Sequence, residues 1–239
     1  MGFRPTLVTN RIDWLFVGIY HSAASPYKDD SMETSTSSRV RRPQAERSAT
    51  TRAKLIDAAI ACLHRLGYAS TTTSLVAEEA GVSRGAMMHQ FPSKTALMLA
   101  VVRAVFERDA EHYKMSILTV TPKEWMRSLA ATVCEVVGRP SGIAVMEIML
   151  ASRSDPDLAG QLREIQLQID SEAHAWVLER HAAAGLQARP DSEALHRLFV
   201  AAARGLAMEE LFMRNRGEIK KSIDALGEVL RYFYPEIAK

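Results

Sequence analysis

From Leu55 onward the chain repeats a three-to-four residue rhythm of apolar side chains. Leu55, Ile56, Ala59, Ile60, Leu63 and Leu66 fall on one face of an α-helix, and Gly67 stands where a left-handed terminating residue belongs. Further along, Gly81, Pro92, Pro122, Pro140, Pro156, Gly185 with Pro190, Gly217 and Pro235 divide the chain into segments of helical length. Trp125, Leu129, Val133, Val136 and Val137 keep the same spacing inside one of them. Beyond residue 40 no alternating apolar/polar run is bounded by Asn-Gly or Asp-Gly turns, so strands find no support. The expected fold class is all-α with about nine helices, the last two spanning 191–216 and 217–234.

Composition narrows the class. Of 239 residues, 47% are hydrophobic and 24% charged, the balance of a soluble globular chain rather than a disordered one. No apolar run approaches the roughly 18–20 residues of a membrane span, so no membrane partner is expected. Cys62 and Cys134 lie too far apart for a CxxC metal knuckle and are too few for a disulfide framework. The net charge of +2 hides an asymmetry: residues 39–103 hold ten Lys/Arg against four Asp/Glu, while both flanking stretches are net negative. A basic segment of that kind suits a polyanion. Residues 1–44 read as a tail. Ile12 to Tyr20 is apolar, but Asp13 interrupts it and leaves it too short for a secretory signal. Two readings stay open for residues 1–31: a disordered extension, or an over-long start with Met32 as the working initiator.

Residues 70–95 carry the chemistry. Thr71, Thr72 and Thr73 each offer a hydroxyl to cap a helix whose apolar stripe is Leu75, Val76 and Ala80, with Ala77 small enough for a second helix to cross closely. Gly81 supplies a left-handed turn and Val82 buries the corner. Ser83 is the natural N-cap of a second helix, 84–90, whose Met87 faces the core. This is a helix-turn-helix, with the second helix free to enter a major groove.

The pattern Thr-Thr-x-x-x-Val-Ala-x-x-Ala-Gly-Val-Ser, followed by Gly85, Ala86, Phe91-Pro92-Ser93-Lys94 and Leu97, resembles the N-terminal domain of the TetR family of tetracycline-repressor-like bacterial regulators. The likeness is close over about residues 47–103. It implies a DNA-binding domain over 45–103 and a helical effector-binding and dimerisation domain over 104–239, in a cytoplasmic homodimer that takes no cofactor. By the same resemblance Ser83 caps the recognition helix near a phosphate. Arg84 becomes the first choice for a base contact, since Arg can bridge guanine O6 and N7. Gly85 and Ala86 keep the backbone near the groove floor, His89 and Gln90 finish the exposed face, and Thr72, Thr73 and Lys94 anchor phosphates. Met88 departs from the pattern, because the family usually carries a phosphate-contacting Tyr there. Arg39, Arg41, Arg42, Arg47 and Arg52, with Lys54, form a basic stretch that reads either as a DNA-tracking arm or as a solvated linker.

An enzyme is excluded on context. Gly81-Val82-Ser83-Arg84-Gly85 matches G-x-S-x-G, but a helix-forming run precedes it where the hydrolase elbow needs a strand. The seven His form no H-E-x-x-H, and His174 and His181 read as polar face or packing rather than metal ligands. In the body, Trp125, Met126, Met146, Met149, Leu150, Trp176, Met208 and Phe212 are candidates to line an effector pocket; plain core is the alternative for each. Leu198, Ala201, Ala202, Gly205 and Leu206 on one helix, and Leu226, Leu230 and Phe233 on the last, are candidates for a two-fold interface. The function expected is a ligand-responsive repressor on a palindromic operator, the alternative a helical interaction module that has lost specific DNA binding.

Overall fold

The computed structural model describes residues 44–187, 189–212 and 216–238. Expectations for the arm residues Arg39, Arg41 and Arg42, and for the alternative start at Met32, lie outside them. Among the described residues nine α-helices follow one another: α1 (Gln44–Ser70), α2 (Thr73–Glu79), α3 (Arg84–Gln90), α4 (Lys94–Ser116), α5 (Pro122–Gly138), α6 (Pro140–Ala151), α7 (Pro156–Ala183), α8 (Ser192–Phe212) and α9 (Arg216–Phe233). Among the described residues there is no strand, and no single helix is long and apolar enough to cross a membrane.

The punctuation read from the sequence sets the boundaries. Pro122, Pro140 and Pro156 each open a helix at the first position, where a missing N–H costs nothing. Thr121 and Glu124 add a reciprocal capping box, and the Asp155 carboxylate accepts from Leu158 N at 3.0 Å. Gly67, at φ 75°, breaks α1 before a last turn to Ser70. Gly81, at φ 62°, closes α2: its N–H reaches the Glu78 carbonyl, and Val82 N reaches that of Ala77 at 2.9 Å. That pair of bonds is a Schellman motif, and it turns the chain into α3.

One apolar core joins the head to the body. Leu55, Leu63, Val76, Met87, Phe91 and Leu97 cluster with Ala144 and Ile148 of α6 and with Leu158 and Leu162 of α7. The boundary expected at residue 103 therefore falls inside α4, which closes the head with its first turns and continues into the body. At the end of α1, Tyr68 N donates to the Glu147 carboxylate of α6 at 2.9 Å, and Lys94 Nζ donates to the Tyr68 carbonyl at 2.6 Å. A second cluster gathers Trp125 and Met126 of α5 with Leu186, Leu230, Tyr234 and Ile237. Trp125 meets Trp176 edge-on at 5.0 Å, and Arg127 Nε donates to the Ile237 carbonyl at 2.6 Å, fastening the C-terminal turn to α5.

Candidate nucleic-acid interface

α3 is a seven-residue helix with one side in the core. Met87 is 1% exposed, whereas Arg84, Gly85, Met88 and His89 face solvent and Ala86 is half-buried. Two hydroxyl caps hold the pair of short helices in place: Thr72 Oγ1 accepts from Leu75 N and Ser83 Oγ from Ala86 N, both at 3.2 Å. Of the three threonines, Thr72 is the cap. Thr73 is half-buried at the first position of α2, and Thr71 is fully buried with its hydroxyl donating to the Gly67 carbonyl at 2.8 Å. Among the described residues Arg84 makes no hydrogen bond or ion pair, so its guanidinium is free at the start of the exposed face. Arg52 lies 4.5 Å from the centroid of the Phe91 ring, a cation–π rest that orients it while leaving it exposed.

Two residues expected on this surface are turned inward. Gln90 is half-buried, and its amide donates to Ser48 Oγ at 2.7 Å, tying α3 to α1 rather than extending the reading face. Lys94 sits 3.9 Å from the Tyr68 ring centroid while bonding the Tyr68 carbonyl, and burial holds its ammonium below the usual lysine range. It neutralises the carbonyl end of α1 instead of reaching out as a phosphate anchor. Neither long-range partner is encoded in local spacing, so sequence alone had no signal for them.

A capped helix turned outward across a Gly corner, with a cation at its first exposed turn, defines a helix-turn-helix DNA-binding domain. Residues 55–101 match the family model described as bacterial regulatory proteins of the tetR family, and residues 120–233 match the tetracyclin repressor-like C-terminal domain. The chain belongs to the TetR family and is a transcriptional regulator, not an enzyme. Ser83 accordingly spends its hydroxyl on a helix cap. The HTH-type transcriptional regulator CymR of Pseudomonas putida is 29% identical over 205 residues, 83% of this chain and 98% of that relative. Salmonella enterica GusR has a similar fold, with a TM-score of 0.59 at 22% identity over 81% of this chain and 97% of its own. A Rhodococcus transcriptional regulator gives 0.61 at 16% identity over 76% and 96%.

In the body the expected pocket residues do not line one cavity. Trp125 and Trp176 belong to the second core cluster, Met146 packs with Ile143 and Ala207, and Met149 rests on the first cluster. Met208 and Phe212 are exposed, Phe212 by 78%. Burial of large apolar side chains against neighbouring helices explains the first four; α8 presents the other two outward. A cleft of about 100 Å³ opens instead among α4, α5, α6, α7 and α8, and of the eight residues expected to line a pocket it takes only Met146. Its polar lining is Asp109, Gln166 and Arg204, which sequence reading missed because each sits on an amphipathic helix where a charged residue reads as solvent-facing. Burial pushes the Asp109 carboxyl up to about 6, against the opposing pull of Arg139.

The last two helices present an apolar outer face. Leu198 and Gly205 are exposed, and Ala202 and Leu226 are half-buried. Ala202, Gly205, Leu206, Ala225, Leu226 and Val229 line an open groove of about 450 Å³ between α8 and α9. Leu230 and Phe233 do not share it. Leu230 is 3% exposed against Trp125 and Met126, and Phe233 packs on the same cluster. α9 carries two apolar stripes, and these two residues belong to the one that α5 covers.

Proposed function

We propose that the chain is a ligand-responsive repressor that binds a palindromic operator as a homodimer. The observation that carries the DNA reading is the free Arg84 guanidinium at the capped start of α3, with Met87 anchoring the opposite side. Arg84 reads a base edge, Gly85 and Ala86 bring the backbone close, and Thr72, Ser83 and Arg52 position phosphates. The outer face of α8 and α9 supports pairing with a second copy, since an apolar groove of this size on a helical pair is costly to leave in water. Two recognition helices would then meet half-sites about 34–36 Å apart or a multiple of that. An effector in the body favours a conformation that spreads the two heads, and it does so only through a difference in affinity between the two states.

The test is anisotropy of a labelled upstream promoter fragment titrated with the protein from low to moderate salt, with and without Arg84→Ala. Saturable, salt-steep binding that survives excess random DNA and weakens by about tenfold or more in the variant is the expected result. Equal, weak binding to promoter and random DNA, unchanged by the substitution, would favour a helical interaction module without operator recognition.

A further inference from the structure

We propose that Glu147 is a positioning residue for operator binding, with Lys94 as its counterpart on the other side of Tyr68. By holding the Tyr68 N–H at the break in α1, Glu147 fixes the angle of the reading head on the body and so the half-site spacing that the protein accepts; the spacing rests on the homodimer reading above. Gly67, at φ 75° and ψ 173°, turns the next peptide out of the helical direction, and the Tyr68 N–H meets the Glu147 carboxylate at 2.9 Å. Glu147 is half-buried on α6; among the described residues this is its one hydrogen bond, and no cation pairs with it. A carboxylate in that setting is stabilised by the N–H it accepts, and charge-assisted bonds of this kind are the strong, directional ones. The approach depends on a missing side chain: a β-carbon on Gly67 would lie 3.2 Å from Glu147 Oε2.

Both ends of the helix-turn-helix return to Tyr68. On entry, Thr72 caps α2 four positions later, and the buried Thr71 hydroxyl donates to the Gly67 carbonyl at 2.8 Å, so the connection is short and held. On exit, Lys94 is the first residue of α4, and its Nζ bonds the Tyr68 carbonyl at 2.6 Å while lying 3.9 Å from the centroid of the Tyr68 ring. The charge of Asp155, at the start of α7, is felt by both Tyr68 and Lys94. Four helices therefore converge on one residue at the root of the reading head. The apolar core beneath, with Leu55 and Leu63 clustered with Ala144 and Ile148, resists separation of head and body but is non-directional. The Glu147 bond supplies the direction. In a two-fold pair each head stands on its own copy of that bond, so the angle there sets the distance between the two recognition helices.

Selection from a random-sequence duplex library with the full chain gives the preferred site and its half-site spacing. Duplexes with one or two base pairs added or removed at the centre are then titrated by anisotropy against the parent, Glu147→Gln and Glu147→Leu. The parent is expected to bind the altered spacings about tenfold or more weakly. The Gln variant, whose amide oxygen still accepts from the Tyr68 N–H, keeps that preference within about threefold, and the Leu variant flattens or moves it. Binding to random DNA at parent strength and a helical circular dichroism spectrum check that the Leu variant is folded; Glu147→Ala replaces it if it is not. Lys94→Met keeps an apolar stem on the Tyr68 ring and removes the bond to the carbonyl. It is expected to flatten the spacing preference with the salt slope unchanged, whereas a slope smaller by about two, one phosphate per protomer, overturns the role given to Lys94. A Gln variant that loses the optimum overturns the hydrogen bond as its cause. A parent without any spacing optimum overturns the homodimer reading and this proposal together, and a parent optimum that the Leu variant leaves untouched overturns this proposal alone.

Discussion

Met87 and Met88 are adjacent and chemically identical, yet one is 1% exposed and the other 47%. The phase of α3, set by its Ser83 cap and by the Gly81 corner before it, decides which of them is core and which faces solvent. Met88 occupies an exposed position where the family usually has a phenol, so Met88→Tyr should add one phosphate hydrogen bond. Operator affinity is expected to rise about threefold to tenfold with Tm unchanged, read by anisotropy and thermal melting. His181 shows how burial acts on a single group. It is 6% exposed, its ring lies 4.7 Å from that of Tyr234, and burial, aided by His174 and His196, holds its pKa down to about 4. The unfolded chain takes up this proton near pH 6.5 and the folded chain only near 4, so the contribution is complete above 6.5 and is lost as pH falls between them. Asp109 works with the opposite sign, because its raised pKa favours the folded state toward lower pH. A variant comparison therefore isolates the histidine. His181→Phe should remove about 2 kcal/mol of the stability lost between pH 7 and 5, measured by urea unfolding at both values.

At the scale of elements, the corner between α5 and α6 is the tightest constraint in the body. A β-carbon on Gly142 would lie 2.1 Å from the Val137 carbonyl oxygen, a backbone atom that cannot swing away. Gly142→Ala must push α6 off the end of α5, and the cost is expected at about 1–3 kcal/mol or more. Calorimetric melting should show the lower Tm, with far-UV circular dichroism still helical. The same corner lines the cleft through Val137, Gly142 and Val145, so the substitution also reshapes the cleft. α1 is set by its partners rather than by its own sequence. Gly67 ends its regular part, but Glu147 and Lys94 take the backbone N–H and carbonyl of Tyr68 and fix where the head stands on α6 and α4.

Over the whole molecule, head and body share one core, so a movement of α6 or α7 reaches Met87 and Phe91 without passing through a linker. Packed interfaces shift as units rather than deforming gradually, so a displacement at one end of this core is felt at the other. Pairing through α8 and α9 can be tested without disturbing the protomer. A side chain at Gly205 meets nothing within 4 Å, so Gly205→Arg should leave the protomer folded while placing a charge in the groove. Sedimentation equilibrium is expected to give a monomer where the parent gives a dimer, with operator affinity falling by about 100-fold as the second head is lost. A variant that stays dimeric would move the interface elsewhere.

The amino-acid sequence determined the helices and the reading head. Apolar spacing, prolines at first helical positions, hydroxyl caps and the Gly81 corner act over a few residues, so Ser83, Met87 and Arg84 could be given their places before any packing was known, while the cap of α2 stayed open among Thr71, Thr72 and Thr73. Partners distant along the chain were decided only by the tertiary structure. Gln90 and Lys94 read as surface groups until Ser48 and Tyr68, 42 and 26 positions away, drew them in. Trp125 and Trp176 read equally as pocket lining or as core until they closed on each other, and Leu230 read as interface until α5 covered it. Asp109 and Arg204 carry no distinguishing pattern in the sequence, and five helices had to converge before they lined one cleft. Periodicity says that a helix has a buried side, but which neighbour covers it depends on how all the helices pack at once.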